Sequence, residues 1–294
     1  MVAVLNLFGV MLLVLGLIAA YFAAARDRPG VPAPGWYPDP TGTRYWDGRA
    51  WTRHVRASTV VGAANRGTRF RGRFWGRWVW WLVAAIAILV AGSLAYLAYG
   101  SGAGVHLMAG TSMLAMTGIC VAFYRFAARQ LALDDVIGAR ELVSVAVATA
   151  GAVIVFAANA NDAIIEAAGI RAATITVGFI EEGTKLLVPL GLYIAGRYRD
   201  PRAGIAIGLA SGFAFAIIET TQYAYSTATA SGPDFCGDVM PTPTAAGVVQ
   251  EQVYRMFLVS PLHWLWTGTA TAIAWRLWHL YGRRGTLGAV GGIL

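Results

Sequence analysis

Phe179-Ile180-Glu181-Glu182-Gly183-Thr184-Lys185-Leu186-Leu187 sets two adjacent carboxylates and the chain's only lysine inside an apolar segment running from about Ala172 to Ala195. Ionisable side chains at the depth of a membrane helix are costly, and by default they mark a functional site with partners close by. The chain around this stretch is built for such a setting. Of its 294 residues, 57% are hydrophobic and 13% charged, and the mean hydropathy is +0.57, too apolar for a water-soluble globule of this length. The expected fold class is all-α: a polytopic transmembrane bundle of about seven spans plus an incomplete last one, with a small β-rich cytoplasmic module.

The 23 basic residues outnumber the 15 acidic ones, but the arginines cluster beside apolar segments, as membrane orientation signals do. No nucleic-acid partner is expected. Cys120 falls within an apolar segment and Cys236 in a polar loop, so neither a disulfide nor a cysteine-based metal site is expected.

Residues 1–25 read as a transmembrane anchor, retained rather than cleaved because no basic residue precedes the apolar run. Residues 26–77 carry eleven arginines, which by the positive-inside rule makes this loop cytoplasmic and puts the N-terminus outside. Within it, Pro34-Gly35-Trp36-Tyr37-Pro38-Asp39-Pro40, Arg44-Tyr45-Trp46-Asp47-Gly48 and Trp51-Thr52 describe short extended pieces joined by tight turns, a module over about 34–55. Its tryptophans either form a miniature core or line a groove for a cytoplasmic partner, whose identity the sequence leaves unknown. Arg66 to Arg77, interleaved with Phe70, Phe74 and Trp75, either contact anionic lipid or serve as a plain stop signal.

The membrane domain follows over 78–294. Alternating sides gives spans Trp78–Tyr99, Val105–Phe126, Leu142–Ala158, the segment bearing Glu181, Ala203–Ala224 and Met256–Leu277. An external loop is expected over Asn159–Arg171, and a polar external stretch over Tyr225–Tyr254 that lids the site. At about 1.5 Å per residue, Glu181, Glu219 and His263 fall roughly 14, 8 and 10 Å below the outer surface, one level within the error of span ends. The chemistry this set permits is narrow. Glu182, Glu219 and His263 could hold zinc or another divalent metal with an open water position. Without metal, a desolvated carboxylate can act as general base while the histidine orients the water or stabilises the oxyanion. Lys185, one turn from Glu181 and three residues after Glu182, offsets their charge.

EExxK at Glu181, Glu182 and Lys185, FxxxE at Phe215 and Glu219, and His263 followed by Trp264 and Thr267 resemble the signatures of PrsW intramembrane proteases, which are distantly similar to the CAAX prenyl proteases. The resemblance covers roughly Glu141 to Leu294. It implies a multi-pass hydrolase of the bacterial plasma membrane, an intramembrane endopeptidase cutting membrane protein or peptide substrates in the outer half of the bilayer, in some members an anti-sigma factor. The family is usually described as metalloproteases. It also implies catalytic roles for Glu181, Glu182, Glu219 and His263, with Lys185, Phe215, Thr220 and Thr267 in support. Thr220 stands where the family commonly has Asn. A second histidine is expected on a later helix, and the sequence given stops at Leu294 before one could form, so either a longer protein or a member without that group is expected. The aromatic module resembles a small domain of unknown function that recurs beside membrane segments in actinobacterial proteins.

The competing readings are simpler. A lone His263 packs more often than it reacts, and Glu182 with Lys185 could be a buried structural ion pair. Neither explains Glu219 as well. The rival function is a non-catalytic membrane scaffold or regulator acting through the cytoplasmic aromatic module. A proton-linked carrier ranks last, because no internal repeat is visible.

Overall fold

In a computed structural model of the chain, the described residues are 2–23, 35–39, 42–46, 51–57, 76–229 and 244–281. The aromatic module is a three-stranded antiparallel meander of β1 (Gly35–Asp39), β2 (Gly42–Trp46) and β3 (Trp51–Ala57). Its rings pack on one another: Trp36 on Tyr45 at 5.3 Å, Tyr37 on Trp51 at 5.8 Å and Trp46 on Trp51 at 5.1 Å, with the Arg56 guanidinium 4.1 Å above Trp36. Among these rings only Tyr45 is buried, and Trp51 is 45% exposed. The basic run over 58–75, Cys236 and the chain beyond Tyr281 lie outside the described residues.

The rest of the described chain is mainly helical. Four helical runs among the described residues are long and apolar enough to cross a membrane: Ala3–Ala23, Trp78–Leu131, Ala139–Ile194 and Pro201–Ala228. The middle two, 54 and 56 residues long, are each about twice the depth of a bilayer and fold back on themselves. In the first, α2 (Trp78–Tyr99) and α3 (Val105–Leu131) are joined by a wide glycine turn whose Gly102 leaves helical geometry at φ −77°, ψ −111°. They lie antiparallel: a Cβ on Gly92 would strike Thr111, and one on Gly118 would press on Ala85. In the second, α4 (Ala139–Ala152) continues through a π-turn at Val153–Ala157 into α5 (Ala158–Ile194).

The expected external loop over Asn159–Arg171 is therefore helix for most of its length. Its Ala and Ile residues sustain the helix, and the chain reverses only at Gly169, whose φ of 82° is open to glycine but strained for other residues. Similarly, α6 (Pro201–Ala228) extends past Tyr225, and part of the expected lid is α7 (Ala245–Tyr254), continuous through a π-turn at Arg255–Val259 with α8 (Ser260–Tyr281). α8 covers the expected seventh span but falls outside the four apolar runs.

Small residues set how closely these helices approach, as they do where lipid removes the hydrophobic drive between helices. α1 (Val2–Ala23) lies antiparallel to α4: Asn6 and Asn159 exchange amide hydrogen bonds at 3.3 and 2.8 Å, and a Cβ on Gly16 would strike the Ala148 backbone. The segment expected as an anchor is thus part of the bundle. α6 is the central helix, its apolar window 83% buried. Asp200 caps its start, accepting from the Arg202 amide at 2.8 Å. Gly204, Gly208 and Gly212 admit Trp275, Thr271 and the Trp264 backbone of antiparallel α8.

Candidate functional site

Three helices bring the polar groups together. On α5, Glu181 and Glu182 stand four and three residues before Lys185, spacings that put all three on adjoining faces. Phe215 and Glu219 share a face of α6, and His263 faces them from α8. Gly212 sets the approach, because a Cβ there would collide with the Trp264 backbone, next to His263.

Lys185 is completely buried and sits between the two ends of the site. Its Nζ donates to Glu182 Oε1 at 2.6 Å, lies 2.8 Å from His263 Nδ1 and 3.9 Å from Glu181 Oε2, and stands 4.1 Å from the centre of the Phe215 ring. An ammonium can only donate, so Nδ1 accepts and the imidazole proton is assigned to Nε2. That nitrogen is 2.8 Å from Glu219 Oε2, an ion-pair distance, but makes no aligned hydrogen bond. Phe215 packs on the imidazole, ring centres 4.9 Å apart.

The carboxylates divide by partner. One donor atom from each of Glu181, Glu219 and His263 lies within 4.8 Å of the others. It is thus Glu181, rather than the expected Glu182, that gathers with Glu219 and His263. Glu182 turns to Lys185 and keeps Oε2 unpartnered. Two carboxylates and an imidazole with a buried, unaligned Nε2 suit a divalent cation that retains an open position. A cation held there would take the place of the Nε2 proton, since Nδ1 already faces Lys185.

Thr220 and Thr267 are drawn elsewhere. The Thr220 hydroxyl is 3.0 Å from that of Ser260, tying α6 to α8, and Thr267 donates to the His263 carbonyl at 2.7 Å. His106 pairs with the Tyr225 hydroxyl at 3.1 Å. Sequence reasoning missed Arg255. Its guanidinium contacts Glu251 Oε1 at 2.8 Å and Glu219 Oε1 at 3.5 Å, and stacks 3.0 Å above the Tyr223 ring. It stood at the edge of a stretch read as an external loop, and only the continuity of α7 with α8 brings it to the site.

Two cavities reach different members of this group. The more polar one, of about 830 Å³, reaches Glu181 and Glu219 between apolar residues such as Val153, Ile165 and Phe215 and polar ones including Asn161, Asp162, Gln222 and Glu251. The other, about 690 Å³, is an apolar groove between α5 and α8 that ends on Glu182 and His263. Its walls include Phe179, Leu262 and Trp266, each more than half exposed on the outside of the bundle.

No curated protein and no solved structure matches the chain. Residues 34–64 match a family described as a protein of unknown function (DUF2510). Residues 127–294, more than half of the chain and including every member of the buried polar group, match the family described as PrsW family intramembrane metalloprotease. The helical bundle gathers Glu181, Glu182, Lys185, Glu219 and His263 within that matched region, and the chain belongs to the PrsW family of intramembrane metalloproteases.

Proposed function

We propose that this chain is an endopeptidase that hydrolyses peptide bonds of membrane-associated proteins in the outer half of the bilayer, with its N-terminus outside and the aromatic module in the cytoplasm. The observation that carries the reading is that an apolar groove and a second, more polar cavity each open onto members of one set of acid and base groups. Water reaches Glu181 and Glu219 through the polar side, while an apolar substrate segment lies in the groove against Glu182 and His263.

Glu181, Glu219 and His263 would hold the cation, zinc by the chemistry of the donors. When bound, it supplies Lewis acidity to the scissile carbonyl and a more acidic water. Glu182, with Oε2 free, takes the proton from the attacking water and returns it to the departing amine. Lys185 compensates the clustered negative charge and fixes Glu182 through its 2.6 Å contact. An anti-sigma factor or another single-pass regulator fits the substrate class.

The test is cleavage of a membrane-anchored reporter in proteoliposomes. Glu182→Gln and His263→Ala should each lower turnover by on the order of 100-fold or more while the protein still inserts. Full activity in both variants would end the assignment.

A further inference from the structure

We infer that Arg255 is the positioning residue for Glu219, an assignment that rests on the hydrolytic reading above. In a regular helix at about 100° per residue, positions eight apart such as Arg255 and His263 point about 80° apart. The π-turn over Arg255–Val259 inserts one extra residue between them, which makes their effective spacing seven and brings them to within about 20° of one face. Both then reach the same carboxylate from opposite sides: Arg255 Nη1 is 3.5 Å from Oε1 and His263 Nε2 is 2.8 Å from Oε2.

The guanidinium is itself held. Nε is 2.8 Å from Glu251 Oε1, one helical turn back, an ion-pair distance without an aligned hydrogen bond, and the central carbon lies 3.0 Å over the centre of the Tyr223 ring. Tyr223 is one turn after Glu219 on α6, so the stack fixes the arginine relative to the helix that carries the carboxylate. The side chain is 15% exposed. A surface arginine gains little from such ion pairs. One placed between Glu251 and the Tyr223 ring and set against a functional carboxylate acts on the orientation of that carboxylate, as outer partners of a reactive group do.

Arg255→Ala, assayed in the full chain in proteoliposomes, should lower kcat by on the order of 10–100-fold and leave KM for the membrane-anchored reporter within about twofold, since no substrate contact is removed. Arg255→Lys keeps the charge without the planar fork and should recover part of the loss. Millimolar guanidinium, reaching Glu219 through the polar cavity, should recover part of the Arg255→Ala loss within the assay. A merely structural role would give neither recovery. Wild-type kcat in Arg255→Ala, a change confined to KM, or no recovery by lysine or guanidinium in a variant with an unaltered melting curve overturns the assignment. If Arg255→Ala does not accumulate, Glu251→Gln loosens the far end of the clamp. A several-fold lower kcat then supports the inference, and an unchanged one overturns it. Full activity of Glu182→Gln and His263→Ala would instead overturn the hydrolytic reading itself.

Discussion

The Ser211 hydroxyl donates to the backbone carbonyl of Lys185 at 2.5 Å. That carbonyl needs an outside donor because Pro189, four residues on, has no amide hydrogen to give it. Ser211 in turn accepts from the Thr149 hydroxyl at 3.1 Å, so one buried relay ties α4, α6 and α5 together at the residue carrying the site's ammonium. Ser211→Ala should therefore destabilise the protein by about 1–3 kcal/mol, read as a lower denaturation midpoint in detergent. Pro189→Ala in that background restores an amide donor and should recover much of the loss. Independent, additive effects of the two changes would show that they do not serve the same carbonyl.

The division of the carboxylates gives a second expectation. Glu181→Gln and Glu219→Gln should each reduce zinc bound per protein after equilibrium dialysis by roughly 10-fold or more in affinity, because each removes a charged donor from the set within 4.8 Å. Glu182→Gln should leave bound zinc nearly unchanged while turnover is lost. Equal metal loss in all three variants would place Glu182 among the ligands.

Lys185 is buried between Glu182 and His263, and removing one partner of a buried ion pair leaves the other uncompensated. Lys185→Met should cost less than the roughly 3–5 kcal/mol typical of a fully buried pair, because the Glu182 side chain is 25% exposed. Adding Glu182→Gln should restore most of that stability and none of the activity. Recovery of cleavage in the double variant would show that neither group takes part in the reaction.

Much of this site was legible because burial of charge is costly and helical rise is fixed. Glu181, Glu219 and His263 could be placed at one depth from span ends alone, and a donor atom of each lies within 4.8 Å of the others, although the metal set expected from sequence had Glu182 in place of Glu181. What stayed hidden depends on local departures from a regular helix. The reversal at Gly169, rather than at the polar residues Asn161 and Asp162, follows from a backbone conformation that the hydrophobic pattern does not encode. The π-turn before Ser260 changes the phase of α8, so Arg255 cannot be assigned to the face of His263 by counting residues. The choice between adjacent Glu181 and Glu182 turns on which side of α5 meets α6, a matter of about 100° of helix rotation that neither hydropathy nor charge specifies. Their distinct partners, Glu219 and Lys185, become visible only once the helices are packed.

The groove between α5 and α8 is the remaining handle on substrate. At Gly178 an added Cβ meets nothing within 4 Å, so a large side chain there has space and should not disturb the bundle. Gly178 nevertheless lines the same groove as Glu182 and His263, and Gly178→Phe would fill part of it. A substrate segment reaching the site through the membrane must then displace that ring or bind less deeply, whereas a short water-soluble peptide approaching from the polar cavity need not. Gly178→Phe should raise KM for a membrane-anchored reporter by roughly tenfold, about 1.4 kcal/mol, with little change for the soluble peptide and an unchanged melting curve. Equal loss on both substrates would mean that the ring perturbs the reacting groups. No loss on either would mean that substrates reach Glu182 by a path that avoids the groove.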